Sequence, residues 1–287
     1  MNRVYIATSL SLLLILGWAQ AQAQSSSSCA TTIITVNATG QVAPQGINSA
    51  GTVTGTFFDS SFTSHGFKWA NGTGQIFDFP GAAQTTLGAI NDSGRAVGTL
   101  FNADGSSLGF TLDANGQTTQ FAVPGFFSTV AVGINNRGDI VGQADGIGFK
   151  KTRSTFQTIQ FPGSVSTLPT SINDAGVIVG TYFDGQATHS FVSANGKFVD
   201  FNVPGADSTD ARGINNRGEI VGEFRQTADA QGQGFTFLNG TVTTFQFPGA
   251  TFTEFSAVNA QGDRVGDTVT SDVNDFLSGP AFLLTCR

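Results

Sequence analysis

Side chains able to do chemistry are few here and unevenly placed. Only 11% of the 287 residues are charged, and one concentration falls at Asp207, Asp210 and Arg212, followed by Glu254. Two carboxylates about 5–10 Å apart, one of them with a raised pKa, can cleave a glycosidic bond. Glu254 with Asp210 or Asp207 is the one pairing that could serve in this way. The same four side chains could equally hold a polar ligand by charge-assisted hydrogen bonds. No nucleophile–base set accompanies them, so no catalytic residue is assigned and a binding role is favoured. His65 and His189 are not spaced as metal ligands and no cysteine is left for zinc, so neither a metal nor a cofactor is expected. Arg137-Gly138-Asp139 spells an adhesion tripeptide, but Arg217-Gly218-Glu219 holds the same place in another copy of a repeat, which accounts for it.

That repeat is what must position the charges. The string Ile-Asn-x-x-Gly-x-x-x-Gly begins at Ile47, Ile90, Ile134, Ile172 and Ile214, and with valine at Val258. A second landmark, Phe after a small residue, stands at Phe67, Phe110, Phe149, Phe191, Phe235 and Phe282. A third, Pro-Gly, begins at Pro80, Pro124, Pro162, Pro204 and Pro248, with Asn37 in the corresponding first place. From each of these to the next Ile or Val is ten residues. The period averages about 42 residues, a length at which repeat architectures must be considered first.

Each copy reads as four short strands. The first ends at Ile-Asn, and Asn-x-x-Gly turns tightly because Asn and Gly tolerate left-handed backbone. The second carries a Val-Gly pair. The third opens with the landmark Phe and alternates, as in Phe235 and Phe237. Asn-Gly at Asn71, Asn115, Asn195 and Asn239 predicts a hairpin, and the fourth strand alternates again before Pro. So small a sheet buries two faces only by packing against copies of itself around an axis. The expected fold is therefore all-β: a six-bladed β-propeller of four-stranded antiparallel blades. An open β-solenoid, the alternative, would leave capping repeats at both ends.

The chain starts and stops inside a blade. Residues 31–36 read as a lone fourth strand, and the last copy stops after its third strand, residues 281–285. The N-terminal strand thus completes the last blade and removes two raw sheet edges. Cys286 lies four residues after Phe282, where intact hairpins place Asn, and Cys29 lies eight before Asn37, where they place Gly. The cysteines occupy the two central positions of the missing turn, so a Cys29–Cys286 disulfide is expected.

On this frame Thr85, Thr129, Thr167, Thr209 and Thr253 each follow Pro by five residues. Their hydroxyls either ring the channel mouth or cap their own loops. Asp207, Asp210, Arg212 and Glu254 carry all the charge in the loops leading into first strands. The same two copies hold the longest loops between second and third strands, with Arg225, Asp229, Asp272 and Asp275. Departures from a repeat are where a demand other than folding shows, which places a polar ligand site on blades 5 and 6. His65 and His189 share one repeat position and read as structural.

Composition excludes several classes. A 39% apolar fraction rich in Phe (27) supports a buried core rather than disorder, and 37 Gly with few helix formers argue for strands. A net charge of −7 argues against nucleic acid as a partner. Residues 1–23 read as a secretory signal, with Arg3, an apolar run and Ala21-Gln22-Ala23. That run is short for a membrane span of about 20 residues. Residues 24–28 read as a short leader and 29–287 as one propeller domain, secreted to the cell surface, medium or periplasm and monomeric.

Gly-Ile-Asn-Asn-Arg-Gly-Asp-Ile-Val-Gly at 133–142, with His65-Gly66-Phe67 and His189-Ser190-Phe191, resembles the bacterial extracellular repeat family named for its His-Ala-Phe (HAF) signature. The resemblance covers essentially all of residues 24–287. The signature's His survives in two copies and its Ala only at Ala281. The resemblance implies secretion and a propeller-like fold, and it assigns no catalytic residue. The expected function is a secreted binding or scaffold protein that recognises a glycan or another extracellular protein through one face. A glycan-cleaving enzyme with a carboxylate pair on the same face is the alternative.

Overall fold

A computed structural model describes residues 29–36, 38–227, 231–270 and 279–286. The readings on residues 1–28, on Asn37 and on Asp229, Asp272 and Asp275 lie outside the described residues. Alternating apolar side chains build strands throughout. Blade 3, for example, runs Val130–Ile134, Ile140–Ala144, Ile147–Thr152 and Thr155–Ile159, each pairing antiparallel with the next. Six such four-stranded sheets form, and no helix occurs among the described residues. The molecule is a six-bladed β-propeller.

Blade packing explains the landmarks. The six landmark Phe side chains are at most 2% exposed, and burying each contributes on the order of 2–3 kcal/mol. Five of them lie inside their third strands, as Phe67 lies inside Ser64–Ala70, because the sheet pairs further toward the loop than alternation alone predicts, while Phe282 opens Phe282–Cys286. Each apolar cluster joins two blades: Val53 and Phe67 of blade 1 pack with Val265 and Leu283 of blade 6. Hairpins at Asn71, Asn195 and Asn239 use the left-handed Asn-Gly pair, with φ of 51–52° at Asn. Asn115 differs. There the turn is longer and starts at Asp113, whose carboxylate accepts from the Asn115 and Gln117 N–H groups.

The ring closes as a fourth strand supplied from the other end. Cys29–Ile33 pairs antiparallel with Phe282–Cys286, Cys29 directly opposite Cys286. The disulfide is formed, with Cα atoms 4.1 Å apart; directly opposed residues of an antiparallel pair come this close, to about 4.5 Å. The strand begins two residues earlier than alternation suggests because the bond holds Cys29 in register. Ile34 N–H then donates to Ala281 O at 2.9 Å, and Ile34 and Val36 enter the core.

A second closure is a circle of amides. The Asn of each Ile-Asn donates its side-chain N–H to the backbone carbonyl of the equivalent Asn in the next blade. The circle runs through Asn48, Asn91, Asn135, Asn173, Asn215 and Asn259 back to Asn48, at 2.9–3.2 Å. Each Asn Oδ1 also accepts from its own turn, as Asn135 does from Arg137 and Asp139 N–H. Asn135→Ala is expected to cost about 1–2 kcal/mol, read as a lower urea midpoint, because it orphans these buried groups. We call this end of the ring, with its Asn turns and hairpins, the lower face. The upper face carries the loops into first strands and those joining second to third strands.

Candidate functional site

The first strands of blades 5 and 6, Ser208–Ile214 and Ala250–Val258, descend from the upper face beside the central channel. Asp210 stands opposite Glu223 on the neighbouring strand, and Glu254 stands opposite Asp267. Gly222 and Gly266 permit this, since a Cβ there would lie 1.9 Å from the carbonyl oxygens of Asp210 and Glu254. A register shift between Ala211 and Gly213 re-aims Arg212. Its Nη2 reaches Asp210 Oδ2 at 2.9 Å and Glu254 Oε2 at 3.2 Å, bridging the two blades. Laid end to end, those distances put the two carboxylate oxygens within about 6 Å of each other.

Three of the four sequence-derived residues therefore converge. Asp207 does not join them: it stands exposed at the rim, its N–H donating to Arg225 O at 2.8 Å. Glu223 and Asp267 were missed, although the sequence carried a signal. In every blade the residue after the second repeat glycine pairs with the first strand, and blades 1 to 4 place Thr56, Thr99, Gln143 and Thr181 there. Acids at this position occur only in blades 5 and 6.

Four carboxylates share one guanidinium, and burial sharpens their competition. Burial, then the Glu254 charge, pushes the Glu223 carboxyl up to about 7, with Arg212 opposing. Asp267 is pushed well above its ordinary value, by burial first and then by Glu254. Burial alone would lower the Arg212 pKa, but Glu254 and Asp210 outweigh it and hold the guanidinium charged. Glu223 Oε2 is buried without a hydrogen-bond partner among the described residues. It borders a cleft of about 270 Å³, whose walls include Thr188, Ser208, Asp210 and Arg225. The arrangement can bind donors and cations, and it places a carboxyl with a raised pKa beside other carboxylates.

Other candidates resolve into structure. Thr85, Thr129, Thr167, Thr209 and Thr253 are buried, each hydroxyl accepting a backbone N–H six residues back at 2.9–3.0 Å. They cap their own loops. Asp139 of the Arg-Gly-Asp turn has an 8% exposed side chain paired with Lys150 at 3.4 Å, so the tripeptide is not displayed. Glu219, its counterpart in blade 5, is buried between Arg217 and Arg264, each at 2.6 Å. His65 bonds Asp78 at 2.7 Å and His189 bonds Asp184 at 3.0 Å. Partial burial depresses the His65 pKa, but Asp78 and Asp59 more than offset this and raise it.

Fold and site together define a propeller with one polar cluster at the upper end of two adjacent blades. No protein-family model and no curated protein sequence matches the chain. Among solved structures it is similar to virginiamycin B lyase from Staphylococcus aureus, in a structure with quinupristin. The TM-score is 0.54 at 13% identity, over 90% of this chain and 100% of that one. It is also similar to AofleA from Arthrobotrys oligospora, with TM-score 0.55 at 12% identity over 85% and 84% of the two chains. A streptogramin B lyase gives 0.54 at 15% identity, over 90% and 98%. At these identities the likeness is one of fold, the β-propeller. No helix among the described residues is long and apolar enough to cross a membrane.

Proposed function

We propose that this chain is a secreted binding propeller that recognises an extracellular ligand, a glycan or a protein, through the upper face over blades 5 and 6. One observation carries this reading. Where blades 1 to 4 place Ala43, Thr86, Val130 and Leu168, blades 5 and 6 place Asp210 and Glu254, tied across the blade boundary by Arg212. Folding needs none of these charges, since four blades form without them. The disulfide fits an oxidising compartment, and the sixfold repeat supports placement with the extracellular HAF-repeat proteins.

Glycan cleavage is the second reading. It is favoured by the Glu223 carboxyl, raised to about 7, facing the charges of Asp210 and Glu254. That is the acid-plus-carboxylate pattern of a glycosidase. Asp210→Ala with Glu254→Ala tests both readings on a glycan array and in a hydrolysis assay. Loss of retention by more than about tenfold, with melting unchanged, supports binding. Hydrolysis by the parent that Glu223→Gln abolishes would replace it with the enzyme reading. Retention unaltered by the double variant removes the site.

A further inference from the structure

The upper face is two-sided. Over blades 3 and 4 it exposes Phe127 (62%), Val165 (67%), Leu168, Phe183 and Ile147. Scattered exposed apolar residues need no explanation, but these stand on loops tied to one another. Phe127 N–H donates to Asp145, and the adjacent Gly146 carbonyl accepts from Thr167 N–H of blade 4 at 3.4 Å. Val165 N–H donates to Phe183 O at 2.7 Å. Phe183 is the register partner of Thr188, which walls the cleft beside Asp210 and Glu223. The apolar patch therefore runs directly into the acidic cleft.

Charge on this face is one-sided. The loops between second and third strands carry Asp59, Asp104, Asp145 and Asp184 in blades 1 to 4, and blades 5 and 6 add the four clustered carboxylates. Among the described residues, the Lys and Arg side chains at this end are Arg212 and Arg225. Others, including Arg95, Arg137, Arg153, Lys197 and Arg217, sit on or next to turns of the lower face. An apolar patch beside a cleft rich in carboxylates is complementary to an apolar ligand that carries a cation.

We propose that the upper face over blades 3 to 5 docks a protein segment in which apolar side chains adjoin an arginine or lysine. The apolar side chains cover Phe127, Val165 and Phe183, and the cation enters the cleft between Asp210 and Glu223. A cation there meets the carboxylates of Asp210 and Glu223, and Glu223 Oε2 has no hydrogen-bond partner among the described residues. A neutral glycan brings no charge to meet the carboxylates, and Val165, Leu168 and Ile147 add aliphatic surface that suits an apolar side chain better than a sugar. This inference rests on the upper face being the binding face and narrows its partner to protein.

The probe is a short fluorescein-labelled peptide of alternating lysine and leucine. Its controls are lysine with serine and glutamate with leucine, all read by fluorescence anisotropy against the full chain. Lysine–leucine is expected to bind at least about tenfold more tightly than either control. Phe127→Ser with Val165→Ser, both exposed and neutral to melting, should erase that preference over lysine–serine. Asp210→Asn with Glu223→Gln should weaken lysine–leucine by about tenfold and flatten its salt dependence. Equal binding of lysine–leucine and lysine–serine overturns the inference. Carboxylate-dependent retention on a glycan array then leaves the broader reading standing, and silence in both assays removes both. Sedimentation showing self-association that Phe127→Ser with Val165→Ser abolishes would give the patch to a second copy, and equally overturn it.

Discussion

Replacing Cys29 and Cys286 by serine is expected to lower the unfolding free energy by about 3–5 kcal/mol and the melting temperature by about 10 °C. The bond spans a sequence separation of 257, so on the chain-entropy model it restricts the unfolded ensemble strongly. Local structure adds to the effect. All five residues of Cys29–Ile33 are exposed, so this strand gains little from burial and is held by its ladder, by the disulfide and by Ile34 and Val36 beyond it. Without the covalent link it frays and uncovers the edge of Phe282–Cys286. Urea titration of the parent with and without reductant measures the same quantity. A midpoint unmoved by reduction would mean that the ladder and the amide circle close the ring unaided.

Glu223→Gln is expected to stabilise the protein by up to about 3 kcal/mol at pH 8 and to change little at pH 4. The sign follows from which state holds the proton. The Glu223 carboxyl titrates at about 7 in the folded chain against an ordinary 4.5. Below the ordinary value both states are protonated and nothing is gained or lost. Between the two values the unfolded chain has released a proton that the folded chain retains, so stability falls as pH rises, then levels off above about 7. Glutamine is neutral throughout and lacks this slope. The groups that set it, burial aside, are Glu254, Arg212, Asp210 and Arg225. Asp267 shifts in the same direction and keeps part of the slope in the variant. Melting curves of parent and variant across this range check the claim, and parallel curves would show that Glu223 is ionised in the fold.

Much of the architecture could be read directly from the chain. Asn-x-x-Gly and Asn-Gly turns, period-two alternation and the offsets of Cys29 and Cys286 are properties of near neighbours or of a strict period. The same rules acted at every copy, so blade number and ring closure followed. Strand limits were less accurate, because pairing extends a strand wherever the partner's backbone is available, as at Ser64–Ala70. The threonine after each Pro-Gly left two roles open, and only the hydrogen bond from the N–H six residues back decided between them. Glu223 and Asp267 were overlooked for a different reason. They lie inside second strands, where a charged side chain breaks the repeat less visibly than in a loop.

The amino-acid order alone therefore settled the kind of ring, its closure and the two blades that break its pattern. The folded ring decided what those departures amount to. Blade packing brings Asp210 and Glu254, 44 residues apart in the chain, onto one guanidinium. Desolvation there lifts a carboxyl that is ordinary in water, and the neighbouring blades set an apolar patch against the cleft. Distances between blades and exclusion of water belong to packing, and they leave no trace in a one-dimensional pattern.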